Sequence, residues 1–366
     1  MHISHNRRTK YSPIGIDIGT RSINVAQLAG TSGGIVMQDA DTVNLPADDL
    51  VKEDVIIRVL SDIMKRNNFK GKDVVYRMPP AQVSIVPVKI SRRENETVEQ
   101  AILRESKEYI PYPVSEAVID YLPLKSTDDG EGKSSKVLLI FTRRSDVISH
   151  INMLKKAGFR VHAIDIGPNA VNRTIKRFKS SSEKRILVVN IGHASSFSTI
   201  LWDETILIDR KMGWGLDNIT ERLSSNLDIS SDESVRILYK YGIDCLSAPG
   251  ITLDENSYLI PDSDIPAHIY EIVMPALSEL NREIEKVLVY CTSEMKGAMI
   301  DKIYLMGSGG FLKQLTEYVH KIFGISVTVF EPAPLFGSNG RLKDIVRDNF
   351  PVFMVPIGLA LRGYDA

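Results

Sequence analysis

Cysteine is nearly absent. Cys245 and Cys291 are the two in 366 residues. They form no metal-ligand pattern, and two distant thiols suggest buried side chains in a reducing compartment rather than a disulfide framework. Tryptophan is as scarce, and Trp202 and Trp214 are expected in packing rather than against a nucleobase. No apolar run approaches the roughly 18 residues of a membrane span. Residues Met1–Ser12 lack the apolar stretch of a signal peptide, are polar and basic, and read as a mobile tail, with a membrane-surface contact as the alternative. An excess of charge is missing too. The formal net charge is −1, so bulk electrostatics favour neither nucleic acid nor an anionic membrane. Among seven histidines no Ser-His-Asp arrangement or metal cluster stands out.

What is present is ordinary for a globular protein, with 43% hydrophobic and 25% charged residues. The length implies two domains or lobes. The chain is organised around Ile14 to Leu28, which reads as strand, tight turn, strand. Asp17 lies inside the first strand between apolar neighbours, a costly place for a carboxylate unless something compensates it. Gly19 permits close approach of a ligand, and Thr20, Arg21 and Ser22 offer amides and hydroxyls. Phosphate oxygens suit such a cradle, with Asp17 placed to hold Mg²⁺ through water. An ordinary hairpin with a polar turn fits this stretch alone equally well.

Further on, residues 51–67 have helical spacing and 73–78 read as a strand stopped by Pro79 and Pro80. Residues 81–165 read as a β-α-β-β-α-β insertion, with Asn95 as a candidate cap for its first helix. A helix over 168–179 and the linker 180–183 close the first half. The second half repeats the opening: Asn190, Ile191, Gly192 and His193 match Asp17, Ile18, Gly19 and Thr20, and Ser195 follows in the turn. Helices are expected over 216–227, 231–241, 269–295 and 311–323. Gly307, Ser308, Gly309 and Gly310 follow a buried strand at 302–306, and 353–362 is a short apolar helix or strand. Two related halves with matching turns could clamp one polyphosphate, and the junction at Gly307 adds a third anion-compatible edge.

These three segments resemble the phosphate-1, phosphate-2 and adenosine motifs of the actin/Hsp70/sugar-kinase superfamily. The insertion resembles the FtsA/PilM branch. Arg104 to Pro113, the helix ending at Tyr241-Gly242, and Gly358 to Gly363 are similar to the PilM family of type IV pilus assembly. The resemblance implies an actin-like, two-lobed α/β fold (a duplicated ribonuclease H-like unit) with an FtsA/PilM-type α+β subdomain in the first lobe. The implied domains are a tail at 1–12, a first lobe from 13–80 and 166–183 with 351–366 packed on it, an inserted subdomain at 81–165, and a second lobe at 184–350. ATP with Mg²⁺ would bind Asp17, Gly19, Thr20, Arg21, Ser22, Asn190, Gly192, His193, Ser195, Gly307, Ser308, Gly309 and Gly310. The implied partner is the N-terminal cytoplasmic peptide of a PilN-type inner-membrane protein, with Tyr109, Ile110 and Tyr112 as candidate groove residues. The protein would sit in the cytoplasm, on the inner face of the inner membrane through such partners, other inner-membrane pilus components included. Self-association stays open.

The chain departs from the superfamily pattern in one direction. Asn190 replaces the acid of the second phosphate turn, and an amide is neither a base nor an anionic metal ligand. Gly167 offers nothing near an attacking water, and Asp165, two positions earlier, is either a strand-end residue or one that assists chemistry, so no catalytic residue is assigned. The expectation is an ATP-binding scaffold with slow or absent turnover. An FtsA-like division tether or filament-forming ATPase is the alternative, although Arg362 to Ala366 is short and polar for a membrane-binding helix. A small-metabolite kinase would need a base that is not evident.

Overall fold

The computed structural model describes residues 10–45, 52–124, 134–243, 265–331, 335 and 340–364. It divides into two units. One is Met1–Ser182 with Leu201–Asp209 and Glu331–Ala366; the other is Glu183–Ile200 with Arg210–Phe330.

The first unit begins with β1 (Lys10–Tyr11), β2 (Ile14–Ile18), β3 (Ser22–Thr31) and β4 (Gly34–Asn44), then α1 (Glu53–Arg66) and β5 (Asp73–Arg77). Next come β6 (Ser84–Ser91), α2 (Val98–Glu105), β7 (Ala117–Pro123), β8 (Ser134–Arg143), α3 (Arg144–Lys156), β9 (Arg160–Asp165) and α4 (Gly167–Phe178). The main sheet has the order β1-β3-β2-β5-β9, and β4 also pairs with β3. Alternation decides which side chains enter its core. Ile14 and Ile16 of β2 pack with Ile23 and Val25 of β3, Leu60 and Ile63 of α1, and Val74 and Tyr76 of β5.

Three local expectations are corrected here. Lys10 and Tyr11 pair with Gly30 and Ala29 in the sheet, and Ser12 is buried with its hydroxyl accepting from the Leu28 amide at 2.9 Å, so residues 10–12 are fixed against β3 and are not part of a tail. The remainder of that tail lies outside the described residues, as do most of the polar segments at 126–135, 243–264 and 331–338. The cap of α2 is Thr97, whose side chain accepts from the Gln100 amide while Gln100 returns the bond, a capping box; Asn95 instead takes a left-handed φ of 62°. The insertion is also smaller than its strand pattern implies. Its own sheet is β6-β8-β7, with α2 over one face. The closing strand β9 pairs in parallel with β5, and Met153, Leu154 and Ala157 of α3 join the core of the main sheet. Periodicity identifies a strand but does not say which sheet will take it.

His150 on α3 ties these parts together. Its Nδ1 lies 3.1 Å from the Tyr76 hydroxyl and its Nε2 2.6 Å from Gln82 Oε1. The neutral ring satisfies both partners when Nε2–H donates to Gln82 and Nδ1 accepts from Tyr76.

The chain goes on with β10 (Arg185–Ile191), β11 (Ser196–Trp202), β12 (Thr205–Met212), α5 (Asp217–Leu227), α6 (Ser231–Tyr241) and α7 (Ile265–Glu294), all in the second unit except Leu201–Asp209, the end of β11 and most of β12. It continues with β13 (Lys302–Gly307), α8 (Leu315–Phe323) and β14 (Ser326–Val329). Its sheet runs β12-β11-β10-β13-β14, the same path as β4-β3-β2-β5-β9. The duplication expected from the two turns is therefore a duplication of topology. Trp214 is a core residue, 2% exposed, with Nε1 donating to the Ala276 carbonyl of α7 at 2.8 Å. The helix expected from Phe311 starts later, at Leu315, because Ser308–Phe311 form a separate tight turn and Gln314 has a φ of 62°.

The chain returns to the first unit as α9 (Gly340–Leu361), longer than the apolar segment at 353–362 although Pro351 and Pro356 lie inside it. It packs on β3 and β4 through Phe353, Ile357, Ala360 and Leu361. Contact is backbone to backbone at two glycines. A Cβ on Gly15 would lie 2.0 Å from the Pro356 carbonyl oxygen, and one on Gly358 would lie 1.9 Å from that of Ala170 in α4.

Gly358→Ala should therefore destabilise the protein by about 1–3 kcal/mol through overpacking, as a lower midpoint in urea denaturation. A second expectation concerns pH. Burial holds His150 below its ordinary value of 6.5, so the unfolded chain takes up the proton first. Stability present above about pH 6.5 should fall as the pH is lowered through that value, and His150→Gln should flatten the slope in urea titrations at pH 5.5 and 7.5.

Candidate functional site

The first turn lies at the C-terminal edge of the parallel part of the main sheet, where α/β folds place ligands. Gly19 donates to the Ser22 carbonyl at 2.8 Å and so closes the turn. Thr20 is exposed at its tip. The Arg21 carbonyl accepts from the Leu45 amide. The Ser22 hydroxyl accepts from Asn24 at 3.2 Å, and Asn24 accepts from Thr42 at 2.7 Å.

Asp17 is 7% exposed, and its compensation comes from a residue not visible as functional in the sequence. Arg77, at the end of β5, places Nε 2.7 Å from Asp17 Oδ1. Burial pushes the Asp17 carboxyl up, and the Arg77 charge works against that shift. The β2–β5 register, with Ile16 beside Tyr76, sets Arg77 next to Asp17. A signal existed in the sequence: a lone arginine at the end of an apolar strand, as anomalous as the aspartate.

Arg77 is in turn the register partner of Asp165. Both oxygens of that carboxylate are committed. Oδ1 accepts from the Ile166 amide at 2.8 Å and from Asn169 at 3.1 Å, closing the head of α4. Oδ2 meets Arg173 at 2.8 Å and Arg362 at 2.9 Å. Asp165, the catalytic candidate, thus anchors the head of α4 with both of its oxygens engaged.

The second unit carries its own set of sequence-predicted residues. The Gly192 and His193 carbonyls accept from the Leu216 and Asp217 amides at 3.0 Å each, so the β10–β11 turn is fastened to the head of α5. His193 is mostly buried, with Nδ1 3.7 Å from the Asp217 carboxylate. The Ser195 carbonyl folds back over Gly192. Parallel pairing sets Asn190 beside Met306 and Ile191 beside Gly307, bringing Asn190 to the Gly307–Gly310 turn. Gly307 has a φ of 72°, and a Cβ there would lie 2.3 Å from Asn190 Oδ1. Gly309 is buried against Ile191, and the Ser308 carbonyl accepts from the Tyr239 hydroxyl at 3.2 Å. Tyr239, also absent from the sequence reading, stands edge-on to Phe311 and is held protonated by burial.

The sequence-predicted residues thus fall into two groups, Asp17 to Ser22 on one unit and Asn190 to Ser195 with Gly307 to Gly310 on the other. The arrangement at Asp17 differs from that expected of a metal-holding acid. Its Oδ1 is already paired with a guanidinium, and its counterpart in the second unit is the amide of Asn190.

The groove residues separate in the same way. Ile110 is 6% exposed in the core of the insertion, which corrects its assignment to a groove. Tyr112 packs on that core with the Arg143 guanidinium 4.1 Å above its ring, while Tyr109 is 41% exposed.

A family model described as type IV pilus assembly protein PilM matches residues 15–244 and 250–364. This chain belongs to the PilM family. A solved structure described as a PilM-PilN type IV pilus biogenesis complex is similar at a TM-score of 0.76 and 20% identity, covering 96% of this chain and 98% of that one. The ethanolamine utilization protein EutJ from Carboxydothermus hydrogenoformans follows at 0.51 and 13%, covering 96% and 89%. A diol dehydratase-reactivating factor in nucleotide-free form gives 0.53 and 10%, covering 98% and 100%. The likenesses bear on the fold, which is the actin-like α/β fold of the PilM family with its inserted α+β subdomain. Among the described residues no helix is long and apolar enough to cross a membrane.

If Asp165 anchors α4, Asp165→Asn should lower the unfolding free energy by about 3 kcal/mol, since it strips the partner from a buried charge cluster. Urea denaturation checks this. A purely catalytic Asp165 would leave stability unchanged.

Proposed function

We propose that this PilM-family protein is an ATP-binding scaffold of type IV pilus assembly that recruits the cytoplasmic N-terminal tail of a PilN-type inner-membrane protein. The observation that carries the scaffold reading is the fate of the carboxylates: Asp17 and Asp165, the acids on the ligand-facing edge of the first sheet, are each held by arginine. Neither is placed to act as a base on an attacking water. The glycine-bearing turns at Gly19, Gly192 and Gly307 keep what binding of a polyphosphate needs, which is backbone amides and hydroxyls on rigid strand ends. Binding without efficient hydrolysis follows from that division of parts.

Family membership supports the pilus role, and the similar PilM-PilN complex supports the choice of partner. The exposed ring of Tyr109 on the insertion suits a peptide contact. The protein then reaches the inner face of the inner membrane through its partner.

Titration of a labelled PilN-type N-terminal peptide, with and without ATP, tests the proposal. Saturable binding is expected, and Tyr109→Ala should weaken it about tenfold if the ring is an anchor. Hydrolysis of bound ATP should stay well below about 1 s⁻¹. Turnover above that rate, or no peptide binding in either state, would sink the reading.

A further inference from the structure

The geometry points to Arg77 as the resident cation of this site: it holds the Asp17 carboxylate in place of a hydrated divalent ion, so that the nucleotide polyphosphate is taken without requiring a metal. The inference rests on the nucleotide-binding reading above and specifies its electrostatics.

Three observations carry it. The first is the pair itself. Arg77 Nε and Asp17 Oδ1 are 2.7 Å apart, with the two side chains only 9% and 10% exposed. A divalent ion seated on Oδ1 would have to displace a guanidinium from a contact that water hardly reaches, while keeping most of its own hydration shell.

The second is the comparison that the protein makes with itself. The two sheets share one strand path, so each position in the first half has a counterpart in the second. Asp17 of β2 sits beside Arg77 of β5. Its counterpart Asn190 of β10 sits beside Met306 of β13. Acid and arginine are present together in one half and replaced together in the other. That is the behaviour of a pair acting as one unit. A carboxylate reserved for a metal would have no need of the arginine.

The third is the local charge. Along this edge Asp17 and Asp165 are faced by Arg77, Arg173 and Arg362. Each of these carboxylates is therefore already matched by a cation that the protein itself supplies. A site with two unpaired acids is negative and needs metal to accept a polyphosphate.

The test is ATP affinity measured by calorimetry on the full protein, once in excess magnesium and once in excess EDTA. The expected result is a Kd that differs by less than about fivefold between the two buffers. Arg77→Met frees Asp17 and should convert this into a dependence on magnesium of about tenfold or more. Because that variant leaves a buried carboxylate alone, a second one is included. The double change Asp17→Asn with Arg77→Met copies the Asn190 and Met306 pair and leaves no buried charge; it should bind ATP more weakly than the wild type, and equally in both buffers. A wild-type Kd that rises by more than about fivefold in EDTA overturns the inference while leaving nucleotide binding intact. No ATP binding in either buffer removes the nucleotide reading and this inference with it.

Discussion

The closest constraint in the first unit is the contact between the backbone of α9 and its neighbours. Gly15 of β2 admits the Pro356 carbonyl, and Gly358 admits that of Ala170 on α4. No side chain fits between them, so helix and sheet are registered to within a fraction of an ångström. The consequences run outward. Thr174 of α4 donates to the Met354 carbonyl at 2.9 Å, and Arg362, just past the end of α9, reaches Asp165. Asp165 then fixes the first turn of α4 and, through strand pairing, lies beside Arg77. An apolar packing requirement at the far end of the chain thereby sets the charged edge on which Asp17 sits.

That edge is what sets the proposed scaffold role apart from a hydrolytic one. Phosphate cradles need glycines, amides and rigid strand ends, and both halves retain them. Hydrolysis needs in addition a carboxylate free to take a proton or organise water. The first half spends its two candidate acids on arginines, and the second offers Asn190. The duplicated topology has been kept while the chemistry has been divided unequally.

Most of the architecture was legible. Apolar alternation located the paired hairpins, and helical spacing found α1, α4, α5, α6 and much of α7. The two turns at Gly19 and Gly192 were visible as copies because a tight turn constrains sequence locally. The errors share a cause. Residues 144–165 have a local pattern that fits an insertion, but β9 joins the sheet of β5 because the long-range pairing decides. The length of α9 was hidden by Pro351 and Pro356, which weaken a helix locally but are tolerated where burial of its apolar face outweighs the lost backbone bonds. Ile110 was a candidate groove residue beside Tyr109 and Tyr112, yet its side chain faces inward.

The sequence by itself determined the elements, the duplication and the family, since each rests on neighbours a few residues apart or on motifs read as strings. It also determined that Asp17 needed compensation, because a carboxylate between isoleucines is costly wherever it lies. What compensates it was decided only by tertiary structure. Asp17 and Arg77 are 60 positions apart in the chain and 2.7 Å apart in space. Asp165 and Arg362 are further apart still and meet because α9 must lie on β2. Electrostatic partnership depends on distance in space, which a linear pattern does not encode, and so the step from metal-holding acid to arginine-held acid became visible only once the strands were paired.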